Sequence, residues 1–129
     1  MERTRSIGLT VLRIVIGVIF LAHGYQKLFK FGFHGVSGMF GHLGIPIPAV
    51  FAVIVTLVEF VGGILLITGL ATRIPSLLLA IDMIVAILLV HAKRGFFNTS
   101  GGVEFPLVLL AATICLALSG GGAASLEKY

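Results

Sequence analysis

Four apolar stretches, each near the length that crosses a bilayer, constrain this chain more than any other feature. They cover residues 7–29, 48–70, 74–92 and 103–119. A spanning helix needs roughly 20 mainly apolar residues, with a range of about 17–25. All four stretches qualify, the last by the narrowest margin. Barrel strands would be about ten residues long and would alternate apolar with polar. Runs such as Val53-Ile54-Val55 and Ile64-Leu65-Leu66-Ile67 do not alternate, so helices are the architecture left. Composition agrees: 58% of residues are hydrophobic, 11% are charged and the mean hydropathy is +1.17. A soluble domain carries roughly 25% charged residues. Disorder, a basic nucleic-acid-binding domain and an ordinary cytosolic enzyme are therefore excluded. The net charge of +4 is spread over nine basic residues with no polybasic run. Nucleic acid is thus not an expected partner, and the lipid bilayer is. The expected fold is all-α: a single integral membrane domain over residues 1–129, built as a four-helix antiparallel bundle.

The first stretch has Arg3 and Arg5 ahead of its apolar core, as a signal peptide would. Its core is long, it contains Arg13, and no small-x-small site follows, so it reads as a retained helix. Between the second and third stretches stand only Ala71-Thr72-Arg73. Pro75 then falls in the first helical turn, where its missing N–H costs nothing. These two helices should form a tight antiparallel pair. Residues 93–102 make a short polar loop. Its Asn98-Thr99-Ser100 sequon lies too close to the membrane to carry weight. The segment from Lys30 to Pro48 is different, with glycine at 32, 35, 38, 41 and 44 among Phe and other apolar residues. It predicts a short interfacial helix over about 36–43, capped by Gly44.

The ionisable residues at membrane depth carry the functional signal. Arg13 lies in the first stretch, Glu59 in the second and Asp82 in the third. Each costs on the order of 2.5–3.5 kcal/mol to insert, so each should face the bundle interior and find a partner. With two acids and one guanidinium, the expected ion pair is Arg13 with Glu59 or with Asp82. The acid left over could relay protons or hold a polar headgroup. Such a pair can equally serve only to pin helix register. Arg13, Gly17, Phe20, Gly24 and Lys27 recur in steps of four and three, which makes one stripe down the first helix. Gly62 and Gly63 follow Glu59 and allow close backbone approach. A second polar cluster is expected at one membrane face, from His23, Lys27, His91, Lys93 and Glu104. Lys27 also reads as a snorkelling anchor, and Glu104 as an acid suited to a helix start. The histidines 23, 34, 42 and 91 have no metal-ligand spacing, so no metal is expected. Cys115 stands alone, excludes an intramolecular disulfide, and reads as an inert core thiol.

Several segments, in order and spacing, resemble the DoxX family. The first is Leu12-Arg13 with Gly17, His23-Gly24 and Lys27-Leu28. Leu43-Gly44-Ile45-Pro46 follows, then Glu59 with Gly62-Gly63 and Gly69-Leu70-Ala71-Thr72-Arg73. Gly102-Val103-Glu104-Phe105-Pro106 and Gly120-Gly121-Gly122 with Ser125-Leu126-Glu127 complete the match, which runs from about residue 9 to residue 127. The resemblance implies a small four-helix membrane protein related to DoxD-type subunits of quinone-linked oxidation. It places Arg13, Lys27, Glu59 and Glu104 at the family's polar positions.

Three functions follow as expectations. The first is a membrane component of a quinone-linked redox system, with Arg13, His23, Lys27, Glu59, Asp82 and Glu104 as ligand-binding candidates. Glu59 and Asp82 are its candidate catalytic acids. It would need a partner redox protein as electron donor, because one cysteine gives the chain no redox centre of its own. The second is a non-catalytic membrane scaffold or partner subunit. The third is a small proton-coupled carrier, which four spans would support only as a homo-oligomer. Arg3, Arg5, Arg73 and Lys128 fall on one side, against Lys27, Lys30, Lys93 and Arg94 on the other. The N-terminal pair favours cytoplasmic termini in a plasma or inner membrane.

Overall fold

A computed structural model of the chain describes residues 2–122. The first helix, α1 (Glu2–Tyr25), runs through a wider π-type turn at Gln26–Phe31 into α2 (Gly32–His42). Then come α3 (Pro48–Thr68) and α4 (Arg73–Ala86), the latter prolonged by a π-type turn at Ile87–His91 and a 3-10 turn at Ala92–Arg94. A short 3-10 turn at Asn98–Ser100 leads into α5 (Glu104–Ser119). Three helical stretches are long and apolar enough to cross a membrane: Arg3–His42, Pro48–Thr68 and Arg73–Arg94. The fourth, α5, has 16 residues, or about 24 Å at 1.5 Å per residue. Large apolar side chains face outward on all four, with Leu118, Leu88 and Ile74 each more than 60% exposed. Lipid solvates such a surface.

Sequence sets the ends of α3. Pro48 opens the helix where an N–H is not needed. Gly69 closes it in the left-handed region, at φ 75°, and its N–H reaches the Leu65 carbonyl at 3.0 Å. No comparable stop follows Tyr25. The helix therefore outruns the expected end at residue 29, and the interfacial helix begins earlier than expected, at Gly32. Glycine is tolerated in membrane helices, so the glycine repeat does not break this one. Gly32, at φ 72°, only turns it. Val36 and Phe40 of α2 then pack on Ala52 of α3, together with Ile45, in a small apolar cluster of their own.

Close contacts between the helices fix the topology. Gly17 meets Gly63 and Ile67, and Gly24 meets Phe60, so α1 and α3 run antiparallel. Gly62 meets Leu79, and α4 runs back against α3. Thr10 reaches Gly121 while the His23 ring lies beside Phe105, so α5 is antiparallel to α1. Ile16, Phe20, Leu66, Leu79, Met83, Leu109 and Leu116 fill the centre of this four-helix bundle. The expected stripe on α1 is present: Arg13, Gly17, Phe20 and Gly24 are buried and Lys27 is largely so. The α1–α3 seam is glycine-made, since a Cβ on Gly24 would sit 2.4 Å from the Phe60 nitrogen and one on Gly63 2.5 Å from the Leu21 nitrogen. Cys115 corrects an expectation. It is exposed on the outer face of α5 and is not a core thiol. The closing motif residues Ser125, Leu126 and Glu127, and the flanking Lys128, lie outside the described residues.

Candidate functional site: a buried lysine and two acids

Lys27 ends the α1 stripe and, like every helical side chain, leans back toward its helix's N-terminus. That direction carries its ammonium inward from the membrane face. Glu59 stands on the antiparallel α3 and leans the opposite way, so the two side chains converge. They form an ion pair, Lys27 Nζ donating to Glu59 Oε1, with the side chains 18% and 4% exposed. Asp82 approaches the same centre from α4, where it lies beside both Glu59 and Lys27. Asp82 Oδ2 is buried and has no protein partner, and neither has the hydroxyl of Thr56, which lies one turn from Glu59 on α3.

This arrangement corrects the expected ion pair. Arg13 pairs with neither Glu59 nor Asp82. It is buried and donates through Nη1 to the Gly121 carbonyl at 3.2 Å, beyond the end of α5, while its Nε has no partner. A guanidinium there lies just past the end of α5 and offsets the partial negative charge of its C-terminus. The gap between Arg13 and Lys27 is 14 positions, about 21 Å along a helix, so the two cations serve different ends of the bundle.

The cluster expected from His23, Lys27, His91, Lys93 and Glu104 does not form as one site. Lys27 turns inward to Glu59. His23 is exposed, its Nδ1 2.8 Å from the Ile19 carbonyl of its own helix and its ring centroid 6.2 Å from that of Phe105. His91 Nδ1 lies 2.6 Å from the Gly101 carbonyl. Glu104 Oε2 accepts the Asn98 N–H at 3.0 Å. Glu104 and His91 therefore hold the connection between α4 and α5 in shape. Lys93 is exposed. Among the described residues no group of three or more His, Cys, Asp or Glu side chains is placed to hold a metal ion. Thr56 went unnoticed in the sequence, although its place three residues before Glu59 puts it on the same face.

The DoxX family model matches residues 8–92, the part of the chain that holds all three members of the centre. The chain belongs to the DoxX family. It is 37% identical over 129 residues to a Bacillus subtilis protein named "Putative oxidoreductase CatD", covering all of this chain and 91% of that one. An uncharacterized Haemophilus influenzae protein is 35% identical, over 99% of this chain and 94% of its own length. The inner membrane protein YphA of Escherichia coli is 26% identical, over 96% of this chain and 91% of its own length. No solved structure shows significant similarity. Family, membrane environment and bundle architecture thus agree.

Proposed function

We propose that this DoxX protein is the membrane component of a quinone-linked redox system, and that Lys27, Glu59 and Asp82 form its headgroup site. The observation that carries the reading is a lysine set against two acids inside the bundle. A quinone there would supply two-electron, two-proton acceptor chemistry. The residues suit it: an ammonium able to donate to a carbonyl oxygen, and a buried carboxyl oxygen, Asp82 Oδ2, that no protein group satisfies. In this reading Lys27 Nζ donates to the carbonyl and stabilises negative charge as it develops there. Asp82, in its acid form, would give its proton to the same oxygen. Glu59 would hold the ammonium in place, and the second proton, with the one that recharges Asp82, would come from water at the membrane face. The apolar bundle excludes water, which strengthens each of these interactions.

Electrons would come from a partner oxidoreductase. The name of the Bacillus subtilis relative supports a redox association, and one exposed cysteine cannot cycle as an intramolecular disulfide. The termini are assigned to the cytoplasmic side on the strength of Arg3 and Arg5. The test is gentle extraction from the native membrane, with co-purified quinone quantified by mass spectrometry. Wild-type protein is expected to retain near-stoichiometric quinone, and Asp82→Asn and Lys27→Met to lose at least tenfold at matched folding. Quinone absent from every sample, or retained equally by both variants, overturns the reading.

A further inference from the structure

Threonine inside a helix ordinarily turns its hydroxyl back onto the carbonyl four residues earlier. Three threonines of this chain do so. Thr10 donates to the Ser6 carbonyl at 3.1 Å, Thr68 to the Ile64 carbonyl at 2.9 Å and Thr113 to the Leu109 carbonyl at 2.9 Å. Thr56 does not. Its side chain is fully buried, and its hydroxyl has no partner among the described residues. A buried hydroxyl without a partner is destabilising, and valine would fill nearly the same shape without that cost.

Position gives the hydroxyl a use. Ala52, Thr56, Glu59 and Gly63 are buried and recur in steps of four, three and four, so they form one stripe on α3. Gly63 on that stripe meets Leu21 of α1, and Phe60 meets Gly24. The same antiparallel register, continued by one turn, sets Thr56 opposite the turn of α1 that carries Lys27. The Lys27 ammonium leans back from there to Glu59. Thr56 and Lys27 are thus two donors on one seam. Three residues separate Thr56 from Glu59, about 4.5 Å of helix rise, a gap that a six-membered ring can bridge. Asp82 comes from α4, the helix that Gly62 meets, and so reaches Glu59 from the other side.

We propose that Thr56 sets the specificity of the headgroup site: its hydroxyl donates to the second carbonyl of a para-quinone whose first carbonyl takes the Lys27 ammonium. This role rests on the quinone reading and narrows its substrate to rings with a carbonyl on each side. A headgroup with one carbonyl leaves the hydroxyl unpaired and gains nothing from it. The hydroxyl lowers the stability of the ligand-free protein and is satisfied on binding, as expected of a residue kept for a ligand and not for the fold.

Isothermal titration calorimetry on delipidated protein in detergent tests it. The probes are dimethyl-naphthoquinone, a para-quinone, and tetralone, a bicyclic ketone with a single carbonyl. Wild-type protein should prefer the quinone. Thr56→Val should weaken quinone binding about three- to tenfold, the range of one hydrogen bond, and leave tetralone binding unchanged. Thr56→Ser keeps the hydroxyl and should restore the preference. Reversible unfolding of the ligand-free protein gives a readout that needs no quinone: Thr56→Val should be at least as stable as the wild type. Ser76→Ala is the control. Ser76 is fully buried, its hydroxyl also lacks a partner, and it lies six residues before Asp82 on α4, about 9 Å away along the helix. Its loss should leave quinone binding unchanged. Quinone bound equally by wild type and Thr56→Val overturns the role of Thr56 and leaves the headgroup site standing. A destabilised Thr56→Val also overturns it, since the hydroxyl would then serve the fold, and so does an equal weakening by Ser76→Ala. A wild type that binds neither probe overturns the headgroup site itself, and this role with it.

Discussion

Replacing Gly24 by alanine tests the seam that brings Lys27 to Glu59. In an exposed helix interior the same change stabilises by about 1 kcal/mol, because alanine loses less backbone entropy. Gly24 is different. Its added Cβ would lie 2.4 Å from the Phe60 nitrogen and 2.6 Å from the Phe60 Cα. Ordinary contact begins near 3.4 Å, so the atom is about 1 Å too close to backbone that cannot rotate away. The helices must part by about that much. Overpacking of this kind costs about 1–3 kcal/mol, and a rigid backbone obstacle belongs at the upper end. Set against the propensity gain, the net loss should be about 2 kcal/mol, roughly a thirtyfold shift in the folded fraction. Gly38 is the matched control, a helical glycine with nothing within 4 Å of its added Cβ. Gly38→Ala should leave stability unchanged or raise it by up to about 1 kcal/mol. Reversible unfolding in mixed micelles, followed by circular dichroism, measures both. Gly24→Ala also moves α1 one turn below Lys27, so it should weaken quinone retention while Gly38→Ala does not. Equal stabilities for the two variants would refute the close-approach argument.

Three further outcomes follow. Lys27→Met and Glu59→Gln each strip a buried charge of its partner and should each cost on the order of 3 kcal/mol; the double variant should recover at least about 1 kcal/mol of their sum in the same assay, and strict additivity would deny the pair. Arg13→Leu removes a charged hydrogen bond to the Gly121 carbonyl, a loss of about 1.5–3 kcal/mol. Amide exchange should accelerate at the end of α5 and not around Glu59, and acceleration at Glu59 would restore the discarded Arg13 pairing. Cys115, outward on α5, should react in membranes with a lipid-soluble maleimide and resist a charged one; a thiol inert to both would be a core residue after all.

The helices, their order and the α1 stripe were readable from the sequence because they depend on local properties. Apolar length sets a span, and a repeat of four and three puts Arg13, Gly17, Phe20, Gly24 and Lys27 on one face whatever the neighbours are. The glycines at 62 and 63 announced close packing for the same reason, since a missing side chain is visible without a fold. The expected first helix ended at residue 29, where the apolar run meets Lys30, whereas the backbone stays helical through the π-type turn to Gly32. In lipid the backbone must keep its internal hydrogen bonds, and only the positive φ at Gly32 turns the chain.

Which cation meets which acid was decided by tertiary structure alone. The sequence paired Arg13 with Glu59 or Asp82 only because these were the charges inside the stretches. The packed helices are offset: Gly24 lies at Phe60, and Gly17 already lies at Ile67. That offset sends Arg13 to the carbonyl beyond α5 and leaves Lys27 over Glu59. Depth along one helix follows from residue numbers, but the register between two helices follows from where their small residues allow backbones to touch. The sequence therefore determined that buried charges must find partners, and the glycine seam between α1 and α3 determined that the partners are Lys27 and Glu59, with Asp82 beside them.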